Sequence, residues 1–173
     1  MEDRILLATR ICGQKRRRFL ALVATLVIGV AVVFGITLSQ RDHEAQDLVA
    51  IAVEHVLAEP EHIQETQIVD AGRLNRLLAR VGAQTRGALP VTYANACVLP
   101  NGEGGHIVLS TPHGRVTLML IPNAKTDIML RRTTRGFVVE VHAARTGSYS
   151  LVAPNESALT DAKILLANQL RWA

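Results

Sequence analysis

From Phe19 to Leu38 the chain runs for twenty residues without a charge, and four cations, Lys15, Arg16, Arg17 and Arg18, stand directly before it. As a helix rising about 1.5 Å per residue, this segment is about 30 Å long, the thickness of a bilayer's hydrocarbon core. Thirteen of its residues are Leu, Ile, Val or Phe. At roughly −0.3 to −0.6 kcal/mol each they favour insertion by about 4 to 8 kcal/mol, an upper bound because the scale refers to central positions. A cleaved signal peptide also sets cations before an apolar stretch, but that stretch is usually about 7–15 residues and ends in a small-x-small site. Here the run is longer and leads into Ile36-Thr37-Leu38-Ser39-Gln40-Arg41, which lacks such a site. The expectation is one uncleaved transmembrane helix over residues 19–38.

Charge supports that topology. Of 19 Lys and Arg and 15 Asp and Glu, six cations and two anions lie in residues 1–18, which leaves thirteen of each in the rest. The net charge of +4 therefore belongs wholly to the stub. A nucleic-acid-binding protein carries its basic excess on its folded part, so nucleic acid is not an expected partner. Lys15 to Arg18 read instead as the positive flank that keeps the amino terminus cytoplasmic, and contact with anionic headgroups adds about 1 kcal/mol per residue. The lipid bilayer is the first expected partner. Residues 1–18 form a short basic tail, and residues 39–173 a domain on the far side. Within the run, Ala21, Thr25 and Gly29 recur every four residues, a spacing that lets helix backbones approach. It suggests self-association or packing on a membrane partner.

Beyond the run, Ala45, Leu48, Val49, Ala52, Val53 and Val56 repeat at helical spacing and predict a helix over 40–59, ended by Pro60. A second helix is expected with Asp70 as N-cap, Leu74, Leu77, Leu78 and Val81 on one face and Gly82 at its stop. From Val91 the period changes. Stretches at 91–99, 106–110, 115–121, 127–132, 137–144 and 148–153 are short, rich in β-branched residues and separated by Gly, Pro and Asn. Thr111-Pro112-His113-Gly114 and Arg135-Gly136 mark tight reversals, and "NGEGGH" (101–106) reads as a loop. A last helix starts near Asn155 with Leu159, Ala162, Leu166 and Leu170 on one face. The fold class expected is α+β: after the transmembrane helix, a domain of two helices, an antiparallel meander of about six strands and a C-terminal helix, with the helices on one face of the sheet. Aromatic residues make up 3% of the chain, so the core is aliphatic.

Chemistry is sparse. Cys12 and Cys97 fall on opposite sides of the membrane in this topology and do not bridge within one chain. Cys97, in a strand-like stretch, reads as a buried small hydrophobe or as a redox or structural thiol pairing with another molecule. His55, Glu59 and His62 have the spacing of one helix face, but Pro60 lies between them and breaks that geometry. His106, His113 and His142 belong to strands or a turn and could meet Cys97 at a zinc-like site, yet no pair has ligand spacing. Solvated histidines, no metal and no cofactor are the expectation. Nucleophile elbow, P-loop, zincin and dinucleotide motifs are missing from the sequence, so no catalytic residue is assigned. Arg131, Arg132 and Arg135 suit either an acidic partner or a solvated edge strand.

In the far-side half stand "VTYANAC" (91–97), Gly114 with Val116-Thr117 and Ile121-Pro122, and a closing "LRW" (170–172). With these residues it resembles a proteobacterial family of single-pass inner-membrane proteins, domain of unknown function 3379, regarded as anti-sigma-factor-like. The resemblance implies a bacterial inner membrane, a periplasmic domain and no catalytic residue. In that family the cytoplasmic region is usually much longer than 18 residues, and that region is the one that would hold a sigma factor. Three roles follow: a non-enzymatic regulator whose periplasmic domain binds a membrane or periplasmic protein or a ligand, an accessory subunit of a larger membrane complex, and, least favoured, an envelope enzyme using Cys97 or a histidine site.

Overall fold

The centre of the sheet explains the architecture. In a computed structural model of the chain, which describes residues 29–33, 35–37 and 43–172, the stretch Val116 to Ile121 is at most 2% exposed at every residue. Alternate side chains of this strand point into two different cores, Val116, Leu118 and Leu120 into one and Met119 and Ile121 into the other. A strand apolar on both faces needs a cover on each, where many antiparallel sheets leave one face to water. The expected placement of all helices on one face is therefore corrected. Helix α1 (residues 43–58) packs Leu48, Val49, Ala52, Val53 and Val56 on the second core, while α3 (Ala71–Ala79) and α4 (Glu156–Gln169) cover the first. A short helix, α2 (Pro60–Gln64), follows α1 with Pro60 in its first turn, so among the described residues from 43 onward three helices precede the main sheet where two were expected.

Six strands form that sheet, all antiparallel: β2 (Val91–Leu99), β3 (Gly102–Thr111), β4 (Gly114–Pro122), β5 (Leu130–Thr134), β6 (Phe137–Ala144) and β7 (Gly147–Ala153). Their order is β2-β3-β4-β7-β6-β5. This is not the simple meander expected: after β4 the chain runs to the far edge, makes β5, and returns through β6 and β7 to pair with β4. The stretch expected as a loop at 101–106 is mostly strand, because β3 begins at Gly102 and pairs with β2 from there. Thr111 pairs with Gly114, and Thr134 with Phe137, so both expected reversals are two-residue hairpins. Arg135 and Gly136 have φ of 49° and 83°, the pair of positive values that a type I′ turn needs.

Caps fix the helices where the sequence put them. Asp70 accepts the backbone N–H of Arg73 and Asn155 that of Ala158, and Gly82 turns the chain out of α3 with φ +75°. A second, two-stranded sheet pairs β1 (Ala83–Thr85) with β8 (Leu170–Trp172); it takes Leu170 out of the C-terminal helix and buries it in the first core. Residues 29–33 and 35–37, in a separate compact unit spanning Met1–Gln40, are helical, with Val30, Val32, Val33 and Ile36 each more than half exposed. Among the described residues no helix is long and apolar enough to cross a membrane. Most of the span expected at 19–38, with Lys15, Arg16, Arg17, Arg18, Ala21 and Thr25, lies outside the described residues. Gly29 is in the described helix, and a Cβ added there would meet nothing within 4 Å.

Candidate functional site

Three histidines close on one carboxylate oxygen at the end of α1. His55 is on the last turn of α1, Glu59 follows it in non-helical geometry (φ −128°, ψ 57°), and α2 then starts at Pro60. The break read from Pro60 is real, but it folds His62 back toward Glu59. The Nδ1 of His62 is 2.9 Å from Glu59 Oε2, and the Nε2 of His55 is 3.3 Å from the same atom. Arg115 of β4 holds this corner by donating to the carbonyls of Ile63 and Glu65, at 2.6 and 2.9 Å.

The third histidine arrives from the sheet. His106 on β3 stands between Asn95 of β2 and Met119 of β4. Its neighbour Ile107 enters the first core, so strand alternation turns His106 to the α1 face, with its Nδ1 3.8 Å from Glu59 Oε2. The ring of Tyr93 stacks on His62 with centroids 4.4 Å apart and meets His106 edge-on at 5.1 Å, while His55 and His62 meet His106 edge-on at 5.2 and 5.7 Å.

The expectation of solvated histidines is thus overturned for this group. His106 is 0% exposed and His55 11% by side chain. Neither ring nitrogen of His106 has a hydrogen-bond partner, nor does Nε2 of His55. Burial, with His55 and His62 beside it, pushes His106 down to about 4, against a smaller opposing pull from Glu59, so it is a neutral imidazole at pH 7. Among the described residues, His55, Glu59 and His106 form a group whose ligand atoms all lie within 4.8 Å of one another.

The other residues singled out in the sequence go elsewhere. His113 is exposed and bonds Asp161 at 2.7 Å. His142 lies on the opposite face of the sheet, 2.9 Å from buried Glu140 and stacked on Tyr149. Cys97 is a free, half-buried thiol 3.8 Å from the Met119 sulfur; burial first, then Glu59, pushes it up to about 11, which keeps it protonated and unreactive at neutral pH. Arg131 and Arg132 are on edge strand β5 and Arg135 in the turn after it, with Arg131 paired to Glu156. Arg132 and Arg135 share a cleft of about 440 Å³ with Glu54, Gln46 and Ala50 of α1.

Residues 1–170 match the family described as protein of unknown function, DUF3379. The chain belongs to that family. The match takes in the basic stub and the apolar run as well as the domain that carries the histidines. No curated protein and no solved structure matches the chain. The DUF3379 assignment therefore brings no chemistry with it, and the site rests on its own geometry.

The histidine cluster was only half visible in the sequence. His55, Glu59 and His62 have suggestive spacing, but His106 joins them from more than forty residues away. The signal available was the run Val116–Ile121 of β4, apolar but for Thr117, which demands a cover on both faces and so buries the α1 side of β3 as well.

Proposed function

We propose that this DUF3379 member is a non-enzymatic, single-pass inner-membrane protein, its amino terminus cytoplasmic, whose periplasmic domain is a binding module with a regulatory, anti-sigma-like role. The observation that carries the reading is the uncharged run Phe19–Leu38 behind Lys15–Arg18, whose described part is helical with its valines exposed, as a lipid-facing helix requires. In sequence, α1 is the first domain element after that run; its last turn supplies His55, and Glu59 follows directly. A ligand gripped there acts on the element that follows the anchor in sequence. The raised thiol of Cys97 and its contact with Met119 support a binding module over a thiol enzyme.

A periplasm-dependent reporter such as alkaline phosphatase, fused after Ala173, is expected to be active, and a cytosol-dependent one silent; the reverse pattern ends the reading. Deleting residues 1–14 while keeping the cations is expected to abolish signalling and leave insertion intact. The alternative is an accessory subunit of a larger membrane complex, favoured by the open face at Gly29. It predicts co-purification in fixed stoichiometry, lost when Ala21, Thr25 and Gly29 are replaced by Leu.

A further inference from the structure

We propose that His55, Glu59 and His106 bind one divalent transition-metal ion of the zinc class, with His62 as the positioning residue that orients Glu59. Two imidazoles and a carboxylate are the donor set of an open zinc site, which leaves its fourth position to solvent. Calcium and magnesium take oxygen ligands and do not suit it. Donors about 2.0–2.1 Å from a tetrahedral ion lie about 3.3 Å from each other. Glu59 Oε2 is already 3.3 Å from His55 Nε2 and 3.8 Å from His106 Nδ1, so small side-chain adjustments complete the contacts.

The observation that points to a ligand is His106. Buried polar side chains are hydrogen-bonded in the great majority of cases, yet this ring is 0% exposed with both nitrogens unpartnered, and Nε2 of His55 is unpartnered too. A metal ion supplies one nitrogen of each ring with the electron-pair acceptor it lacks, Nδ1 in His106 and Nε2 in His55. Access is from the side of Glu59 and His62, whose side chains are 36% and 24% exposed. His62, bonded to the ligating carboxylate at 2.9 Å, is the kind of outer partner that fixes ligand orientation. Cys97 is not a ligand.

The inference goes beyond the tethered-module reading and fails separately from it, since metal affinity is independent of which side of the membrane the domain faces. Full-length protein purified in detergent and stripped with a chelator is titrated with Zn²⁺ against a chromophoric competitor, and with Co²⁺. One equivalent of zinc per chain is expected. So is a tetrahedral cobalt spectrum without a thiolate charge-transfer band. His55→Ala and Glu59→Gln are expected to weaken zinc binding by more than about 100-fold, and His62→Ala by about 10–100-fold, the range for an outer partner. Zinc should raise the melting temperature of the wild type and not of His106→Leu. Should His106→Leu fail to fold, Glu59→Gln, at a half-exposed position and of unchanged shape, decides alone. Wild type without stoichiometric zinc at micromolar concentration, a thiolate band, or His55→Ala binding as tightly as wild type overturns the proposal.

Discussion

The two faces of the sheet each hold a glutamate among basic side chains, and they solve the same problem in opposite ways. On the α4 face, Glu140 is 1% exposed, but both its oxygens are met: Lys163 Nζ is 3.0 Å from Oε1 and 2.9 Å from Oε2, and His142 Nε2 is 2.9 Å from Oε2. Desolvation raises this carboxyl, yet the hydrogen bonds and charges of Lys163 and His142 outweigh it and hold the group below the usual range. On the α1 face, Glu59 is far less buried, while three ring nitrogens crowd one oxygen that has two lone pairs. The first cluster is complete as it stands. In the second, at least one nitrogen goes without, and burial makes that expensive. A satisfied buried charge fixes a fold; an unpartnered buried ring nitrogen marks where something else binds.

The largest test of this contrast by a single substitution is Lys163→Met. It removes the cation, whose side chain is 42% exposed, and leaves buried Glu140 against His142 alone. Breaking a fully buried pair from one side costs about 3–5 kcal/mol, and the exposed lysine puts this one at the lower end, about 2–3 kcal/mol. Urea denaturation of the metal-free protein is expected to show a loss of that order. A loss under about 1 kcal/mol would mean that the α4 cluster is no more structural than a surface pair.

Acid titration separates the faces next. His106 takes a proton near its ordinary 6.5 when unfolded and only near 4 when folded. Between those values the unfolded state binds the extra proton, so stability is full above about pH 6.5 and falls as pH drops through 4. A shift of this size is worth about 3 kcal/mol. Glu140, held below its ordinary 4.5, contributes stability that is present above that value and lost at lower pH. Urea midpoints of metal-free protein are therefore expected to fall first in the window from pH 6.5 to 4. His106→Leu should flatten that first decline and keep the later one.

Sequence patterns carried the elements but not their neighbours. Asp70 and Asn155 announced two helix starts because a cap is a local event, and Gly136 announced a hairpin because glycine takes a positive φ freely, whereas Arg135 takes its own without that advantage. Periodicity says which side chains share a face without saying what covers it. That is why α1 was expected beside α3 and α4, why the β4-to-β5 crossover was missed, and why the β1–β8 pairing, between segments more than eighty residues apart, left no trace. The candidate site failed to appear for the same reason. Pro60 correctly ended the helix, but whether the break carried His62 away from Glu59 or onto it depended on Arg115, a strand residue whose position no local pattern reveals.

The smallest expected effect has the most telling sign. In metal-free protein, replacing His106 by Leu exchanges an unpartnered buried imidazole for an apolar side chain of similar volume beside Met119 and the rings of Tyr93, His55 and His62. An unsatisfied buried polar group costs about 1–3 kcal/mol, and packing mismatch offsets part of its removal. A net gain of about 1 kcal/mol is expected at pH 7, read as a higher urea midpoint with an unchanged slope. Most core substitutions destabilise, so a gain here singles out the position. A loss of 2 kcal/mol or more would show that His106 is satisfied in the metal-free fold, and that the α1 face is as complete as the α4 face.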